Sequence, residues 1–155
     1  MTALYLDTAL LVAALVHEPG TALAHGFLRQ AVDRPWLIST WVETELASAL
    51  AMQVRRRSIE AAECQVAWQR YQELRDARLQ VLDLESDDFH TAARLCLADA
   101  PPLRAGDALH LAVCQKQRLC LVSFDKALCA AATHHRVAVE LLTTAAPPDP
   151  AAPSP

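Results

Sequence analysis

Short apolar segments alternate with helical patterns along most of this chain, and that alternation restricts the possible folds most strongly. The apolar segments are Leu4–Leu6, Trp36–Ser39, Leu79–Leu84, Leu119–Val122 and Val137–Leu142. Between them, apolar residues recur every three or four positions, as they do on one face of a helix. Strands that alternate with helices are typical of a parallel sheet covered by helices, so we predict an α/β fold.

The helical stretches have recognisable starts and ends. We predict helices over residues 10–16, 21–32, 40–54, 58–77, 86–100 and 126–132, and a strongly apolar helix through residues 108–113 with Asp107 in its first turn. Ser58 is expected to cap the fourth of these helices, because serine hydroxyls commonly accept a hydrogen bond from the first helical turn. Pro101 and Pro102 are expected to end the fifth.

Composition excludes several classes of protein. At 155 residues and 53% hydrophobic, the chain is expected to form one domain with a sizeable core. No apolar run reaches the roughly 18 residues of a membrane span, and the N-terminus lacks a basic segment before its first acid, so we expect a cytoplasmic protein without membrane contact. The net charge of −4 is not the basic surplus typical of nucleic-acid-binding proteins. None of the five cysteines forms a Cys-x-x-Cys pair, so we expect reduced core residues.

Two acids follow predicted strands directly. Asp7 comes after Leu6, and Asp125 ends the segment Ser123–Asp125 that follows the fourth strand. Ligands of parallel α/β sheets bind at the carboxyl ends of the strands, which makes both residues candidates for a site. Each also precedes a predicted helix, where aspartate commonly acts as an N-cap, and both interpretations remain open.

Two further acids lie on predicted helices. Asp107 is in the first turn of an almost wholly apolar helix, beside Gly106, so it either complements the helix dipole or points into a cleft. Glu43 and Glu45 are two positions apart on one helix and therefore face different ways; Glu45 flanks the apolar stripe and is favoured. His110, three residues after Asp107, is either a ligand or a packed, hydrogen-bonded residue.

Carboxylates gathered in one cleft repel each other and require a cation, so a divalent metal site is the leading hypothesis. A phosphotransfer receiver domain requires an acid pair near its first strand, and a phosphatase requires Asp-x-Asp after it. Here Asp7 is followed by Thr8 and Ala9, which disfavours both. A binding module of the same fold that does not hydrolyse its ligand remains an alternative.

Four segments of the chain together resemble the PIN-domain nucleases, and most of all the VapC-type toxins of bacterial toxin–antitoxin modules. In chain order they are Tyr5–Thr8, Ile38–Ser39 with Glu45–Leu46, Arg104–Ala112, and Leu121–Asp125. The stretch around Asp107 and the Ser-x-Asp sequence at 123–125 are the most specific.

The resemblance implies a Rossmann-like α/β/α sandwich with a short, mainly parallel sheet. It assigns residues 1–142 to a PIN nuclease domain, and the Ala/Pro-rich residues 143–155 are expected to be a disordered tail. It also implies an endoribonuclease that depends on Mg²⁺ or Mn²⁺ and acts as the toxin of a toxin–antitoxin module. Such proteins act on RNA, usually form homodimers, and are inhibited by a small antitoxin whose C-terminal segment occupies the active-site groove.

The same resemblance assigns roles to individual residues. The family's four metal-binding and catalytic acids correspond to Asp7, Glu45, Asp107 and Asp125. Thr8 and Ser123 match the hydroxyl positions that support these acids, and Arg104 and Lys126 flank them as candidates for phosphate contacts. Ala9 departs from the family, which often has serine or asparagine at that position.

Overall fold

The computed structural model of the protein describes residues 1–99 and 101–143, which form five strands and seven helices. The strands are β1 (Leu4–Leu6), β2 (Trp36–Ser39), β3 (Leu79–Leu82), β4 (Cys120–Ser123) and β5 (Val139–Leu141). The helices are α1 (Thr8–Leu15), α2 (Thr21–Gln30), α3 (Thr40–Arg55), α4 (Ala61–Arg78), α5 (Ser86–Cys96), α6 (Ala105–Gln117) and α7 (Lys126–His134). Apart from Thr143, the predicted tail lies outside the described residues.

The five strands form one sheet in the order β3-β2-β1-β4-β5, and every neighbouring pair is parallel. The carboxyl ends of all five strands therefore meet at one edge. The chain adds β2 and β3 on one side of β1 and then returns to add β4 and β5 on the other, so the strand order reverses between β1 and β4. This is the Rossmann-like arrangement, and it confirms the predicted α/β fold class.

The core is built around the three central strands. Every residue of β1, β2 and β4 is buried, which requires helices on both faces of the sheet. In α6 the seven consecutive residues Ala108–Cys114 are all buried, which explains the apolar sequence of that helix. None of the helices in the described part of the chain is long and apolar enough to cross a bilayer.

The predicted cap of α4 is wrong. Glu60 is the N-cap residue, and its backbone N–H donates to Glu63 Oε2 at 2.7 Å in a reciprocal capping box. Ser58 instead helps to end α3, because its backbone N–H donates to the carbonyl of Gln53 at 2.9 Å while Arg57 adopts a left-handed φ of 59°. Ser58 therefore belongs to the turn that ends α3, two residues before the N-cap of α4.

Other boundaries differ by smaller amounts. Helix α5 ends at Cys96, well before Pro101, because a proline limits how far a helix extends without fixing where it stops. Of the five cysteines, all unpaired, Cys114, Cys120 and Cys129 are buried as predicted, whereas Cys64 is half-buried and Cys96 is exposed.

Candidate active site

The ends of β1 and β4 are joined by hydrogen bonds through one serine. Ser123 Oγ donates to Asp7 Oδ2 and accepts from the backbone N–H of Asp125 at 2.9 Å. Asp7 Oδ1 accepts from the backbone N–H of Leu10 at 2.9 Å, so Asp7 also caps α1. The two interpretations of Asp7 from the sequence therefore coexist: it is a helix cap and it faces the strand-order reversal.

Asp7 is almost fully buried, with 3% of its surface exposed. Burial raises its pKa to about 6, although the hydrogen bonds from Ser123 and Leu10 and the nearby His110 act in the opposite direction. The negative charge of Asp125 raises the pKa of Asp7 further. A positive charge close to this carboxyl group would stabilise its ionised form.

Asp125 is exposed at the start of α7. Its Oδ1 accepts from the backbone N–H groups of Ala127 at 2.8 Å and Leu128 at 3.0 Å, so it caps that helix as the sequence allowed. Both bonds use the same oxygen.

Glu45, in the second turn of α3, reaches toward α1 and α6. Its Oε2 accepts from Thr8 Oγ1 at 2.6 Å and from His110 Nε2 at 2.8 Å. Burial alone would raise the pKa of Glu45, but the hydrogen bonds from His110 and Thr8 outweigh it and lower the pKa. Glu45 is thus a carboxylate at neutral pH, with one oxygen fully engaged.

Glu43 has different neighbours, as the helical spacing predicts. Its Oε1 accepts from Arg75 Nη1 of α4 at 3.0 Å, in an ion pair that does not involve Asp7 or Glu45. The geometry therefore associates Glu45, and not Glu43, with the end of β1.

Asp107 is half-buried in the first turn of α6. Burial raises its pKa, and the charges of Asp125 and Glu45 raise it further, while His110 and Arg104 lower it. The charges of Asp125 and Glu45 therefore act on Asp107, and the charge of Asp125 also acts on Asp7.

A buried polar network beneath this edge was not predicted. Tyr5 Oη lies 2.7 Å from Ser39 Oγ and 2.9 Å from His110 Nδ1. The sequence offered one signal, since a tyrosine in the middle of a buried strand needs a partner for its hydroxyl group. The open interpretation of His110 is resolved in favour of a packed, hydrogen-bonded residue, which here bonds to Glu45.

Comparison with known proteins decides the family. The model of the PIN domain family matches residues 4–133. The chain belongs to the PIN domain family. PIN domains are generally nucleases. A search of curated protein sequences found no match.

Solved structures show the same fold at low sequence identity. VapC20 of Mycobacterium tuberculosis, a sarcin-ricin loop cleaving toxin, is 18% identical with a TM-score of 0.66 over 83% of this chain and 95% of that one. VapBC2 of Rickettsia felis, bound to a promoter DNA fragment, is 16% identical with a TM-score of 0.66 over 91% and 99%. FitAcB of Neisseria gonorrhoeae is 18% identical with a TM-score of 0.65 over 88% and 95%.

The carboxylates of this PIN domain have the right chemistry for a divalent cation, but they are not arranged as a finished metal site. Among residues 1–99 and 101–143, no group of three or more His, Cys, Asp or Glu side chains is placed to hold an ion. Asp7, Glu45 and Asp125 are turned toward nearby hydrogen-bond donors instead. Carboxylate oxygens nevertheless suit Mg²⁺, which keeps several of its water ligands and is usually bound by only one or two carboxylates. The residues present therefore fit such an ion.

Arg104 and Lys126 are the cations nearest to these acids in sequence, and both are exposed. Arg104 is the N-cap residue of α6, and its charge lowers the pKa of Asp107. Neither residue forms an ion pair with any side chain in the described ranges. Both are therefore available to a negatively charged ligand.

Proposed function

We propose that this PIN domain is a metal-dependent endoribonuclease that acts as the toxin of a toxin–antitoxin module. The observation that carries the proposal is the pair Asp7 and Asp125, which follow β1 and β4 where the strand order reverses and are joined through Ser123. Glu45 and Asp107 lie on the helices α3 and α6, and the charges of Glu45 and Asp125 act on Asp107. Ligands of open α/β sheets bind at such a reversal. Membership of a family whose members are generally nucleases supports a hydrolytic role.

In this proposal the four carboxylates hold Mg²⁺ or Mn²⁺. Bound there, the ion would polarise a phosphodiester and lower the pKa of an attacking water. Ser123 keeps Asp7 oriented through Oδ2, and Thr8 keeps Glu45 oriented through Oε2.

Phosphate contacts come from the cations beside the acids. Arg104, the N-cap residue of α6, and Lys126, the first residue of α7, are exposed and would hold the RNA backbone against the acidic edge. Local cations are needed because the chain as a whole carries a net charge of −4.

The proposed partners are a cognate antitoxin protein and a second copy of the chain. A groove of about 410 Å³ runs along α3 beside Glu45; its lining residues are Thr8, Trp41, Thr44, Glu45, Ser48, Ala49 and Met52. This groove would receive the C-terminal segment of the antitoxin. The homodimer would bury exposed apolar residues such as Phe89 and Leu97. The cytoplasmic location expected from the sequence belongs to this proposal.

The experiment is a cleavage assay on purified protein with structured RNA. We expect cleavage with Mg²⁺ or Mn²⁺, loss of cleavage in EDTA, and loss in Asp107→Asn. The matched control is Asp87→Asn, because Asp87 also lies in the first turn of a helix. Asp88, the neighbour of Asp87, pairs with Lys116 of α6. Lys116 lies nine residues after Asp107, which is about 13 Å along the helix axis, so Asp87 is remote from the candidate site.

The outcomes separate the alternatives. Cleavage that survives EDTA would contradict the metal-dependent mechanism. RNA that binds with equal affinity to the wild type and to Asp107→Asn, and is cleaved by neither, would identify a binding module without nuclease activity. Equal loss of cleavage in Asp87→Asn and Asp107→Asn would show that neither substitution reports on the site.

A further inference from the structure

A chain of buried hydrogen bonds links the centre of the sheet to one oxygen of Glu45. It runs from Ser39 Oγ to Tyr5 Oη (2.7 Å), to His110 Nδ1 (2.9 Å), and from His110 Nε2 to Glu45 Oε2 (2.8 Å). Ser39, Tyr5 and His110 are at most 3% exposed. Burying polar groups is costly unless they are paired, so apolar residues would serve packing alone more simply.

Ser39 gives up a common local role to take part. It occupies the N-cap position of α3, where a serine hydroxyl usually accepts a bond from the first turn, yet its side chain makes no capping bond. The Ser39 hydroxyl instead lies 2.7 Å from Tyr5 Oη.

The chemistry of Glu45 sets the direction of the hydrogen bonds. An ionised carboxylate only accepts, so His110 Nε2 must donate. On the other side of the ring, His110 Nδ1 lies 2.9 Å from Tyr5 Oη, which lies 2.7 Å from Ser39 Oγ. Bonds on both sides of the ring fix the orientation of His110.

The other oxygen of Glu45 is left facing the start of α6. A Cβ atom added at Gly106 would lie 2.6 Å from Glu45 Oε1, so any side chain at position 106 would displace that oxygen. Oε2 is meanwhile occupied by Thr8 and His110. The two oxygens of Glu45 are therefore inequivalent, and Oε1 is the one directed toward the helix that carries Asp107.

We propose that His110, anchored by Tyr5 and Ser39, is a positioning residue that holds Glu45 so that Oε1 is presented to the divalent cation. The part of this inference that concerns the cation rests on the proposed function. The part that concerns the orientation of Glu45 does not. A glutamate held in one rotamer does not lose side-chain entropy when it binds an ion, so the hydrogen-bond chain strengthens binding without contacting the ion.

The test compares four variants with the wild type. His110→Leu removes both hydrogen bonds and keeps apolar bulk, whereas His110→Gln retains an amide N–H that can donate to Glu45. Tyr5→Phe removes only the hydroxyl that anchors His110. Tyr71→Phe is the matched control, because Tyr71 is equally buried and its hydroxyl has no partner among the described residues.

Mn²⁺ binding is measured by calorimetry and by the electron paramagnetic resonance signal of the free ion. We expect the dissociation constant to rise about tenfold or more in His110→Leu, the scale typical of residues that orient metal ligands, and by less in Tyr5→Phe. His110→Gln should recover part of the loss, and Tyr71→Phe should match the wild type. Circular dichroism in EDTA checks that each variant is folded, and Tyr5→Phe carries the test if His110→Leu is not.

Crystal structures without metal give a readout that is independent of the ion. Glu45 should adopt one rotamer in the wild type and more than one in His110→Leu. A folded His110→Leu variant with the wild-type rotamer of Glu45 and the wild-type affinity for Mn²⁺ would overturn the inference. Wild-type protein that binds no Mn²⁺ and cleaves no RNA would refute the proposed function, and the rotamer comparison would still decide whether His110 positions Glu45.

Discussion

Replacing Asp7 with asparagine is expected to stabilise the folded protein at neutral pH when no divalent ion is present. Burial raises the pKa of Asp7 to about 6 from its ordinary value of 3.8. Asparagine has nearly the same shape and carries no charge. It can still accept from the backbone N–H of Leu10 and can donate to Ser123 Oγ, so the local contacts are kept.

The direction of this change in the free energy of unfolding follows from proton linkage. Below the unfolded pKa of 3.8, the carboxyl of Asp7 is protonated in both states and costs nothing. As the pH rises toward about 6, the unfolded chain loses this proton first, so the wild-type protein loses stability. Above that range the loss is constant at about 3 kcal/mol, because each pKa unit is worth about 1.4 kcal/mol.

Urea denaturation in EDTA, followed by circular dichroism, measures this difference. At about pH 7.5, Asp7→Asn should unfold with a free energy up to about 3 kcal/mol above the wild type, or a Tm about 6 to 12 °C higher for a chain of this size. At about pH 3.5 the two proteins should be equally stable. A variant that is less stable at neutral pH, or that gains equally at both pH values, would refute the reasoning.

Three further expectations concern glycine and arginine positions. In Gly106→Ala, the new Cβ would lie 2.6 Å from Glu45 Oε1 and 3.2 Å from Trp41 Nε1, so Glu45 must move. We expect this folded variant to bind Mn²⁺ more weakly in calorimetry. Wild-type affinity for Mn²⁺ would contradict the expectation. Gly26→Ala meets no atom within 4 Å inside α2, so it should leave binding unchanged and raise the free energy of unfolding by about 0.5–1 kcal/mol in urea. Arg118 ends α6 at a left-handed φ of 54°, so Arg118→Gly should stabilise by about 1 kcal/mol, and a loss of stability would show that the arginine side chain compensates for the strain.

The order of the elements was predictable from the sequence because each strand is a short apolar run and each helix has a clear periodicity. The end of α3 and the start of α4 could not be predicted in the same way, because Ser58 and Glu60 are both plausible caps by composition. Only the backbone bond from Ser58 to Gln53, which closes α3, excludes the first. Which of two nearby residues caps a helix depends on the backbone geometry between the helices, and residue preferences alone do not decide it.

At the candidate site, the sequence indicated the acids but not what orients them. Asp7 and Asp125 were recognisable because they follow strands of a parallel sheet. The bond between His110 and Glu45 joins residues 65 positions apart, and it depends on how α3 packs against α1 and β2 and how α6 packs against β4. The neighbour of Glu43 was equally hidden, because Arg75 reaches it from α4.

The proposed function requires a divalent cation at the carboxyl edge of the sheet. Anomalous diffraction from crystals soaked in Mn²⁺ tests it most directly, because the ion is located without reference to activity. We expect one or two anomalous peaks in contact with carboxylate oxygens from the set Asp7, Glu45, Asp107 and Asp125, and no such peak in crystals of Asp107→Asn. Peaks elsewhere on the surface, or none at saturating Mn²⁺ in well-ordered crystals, would contradict the account.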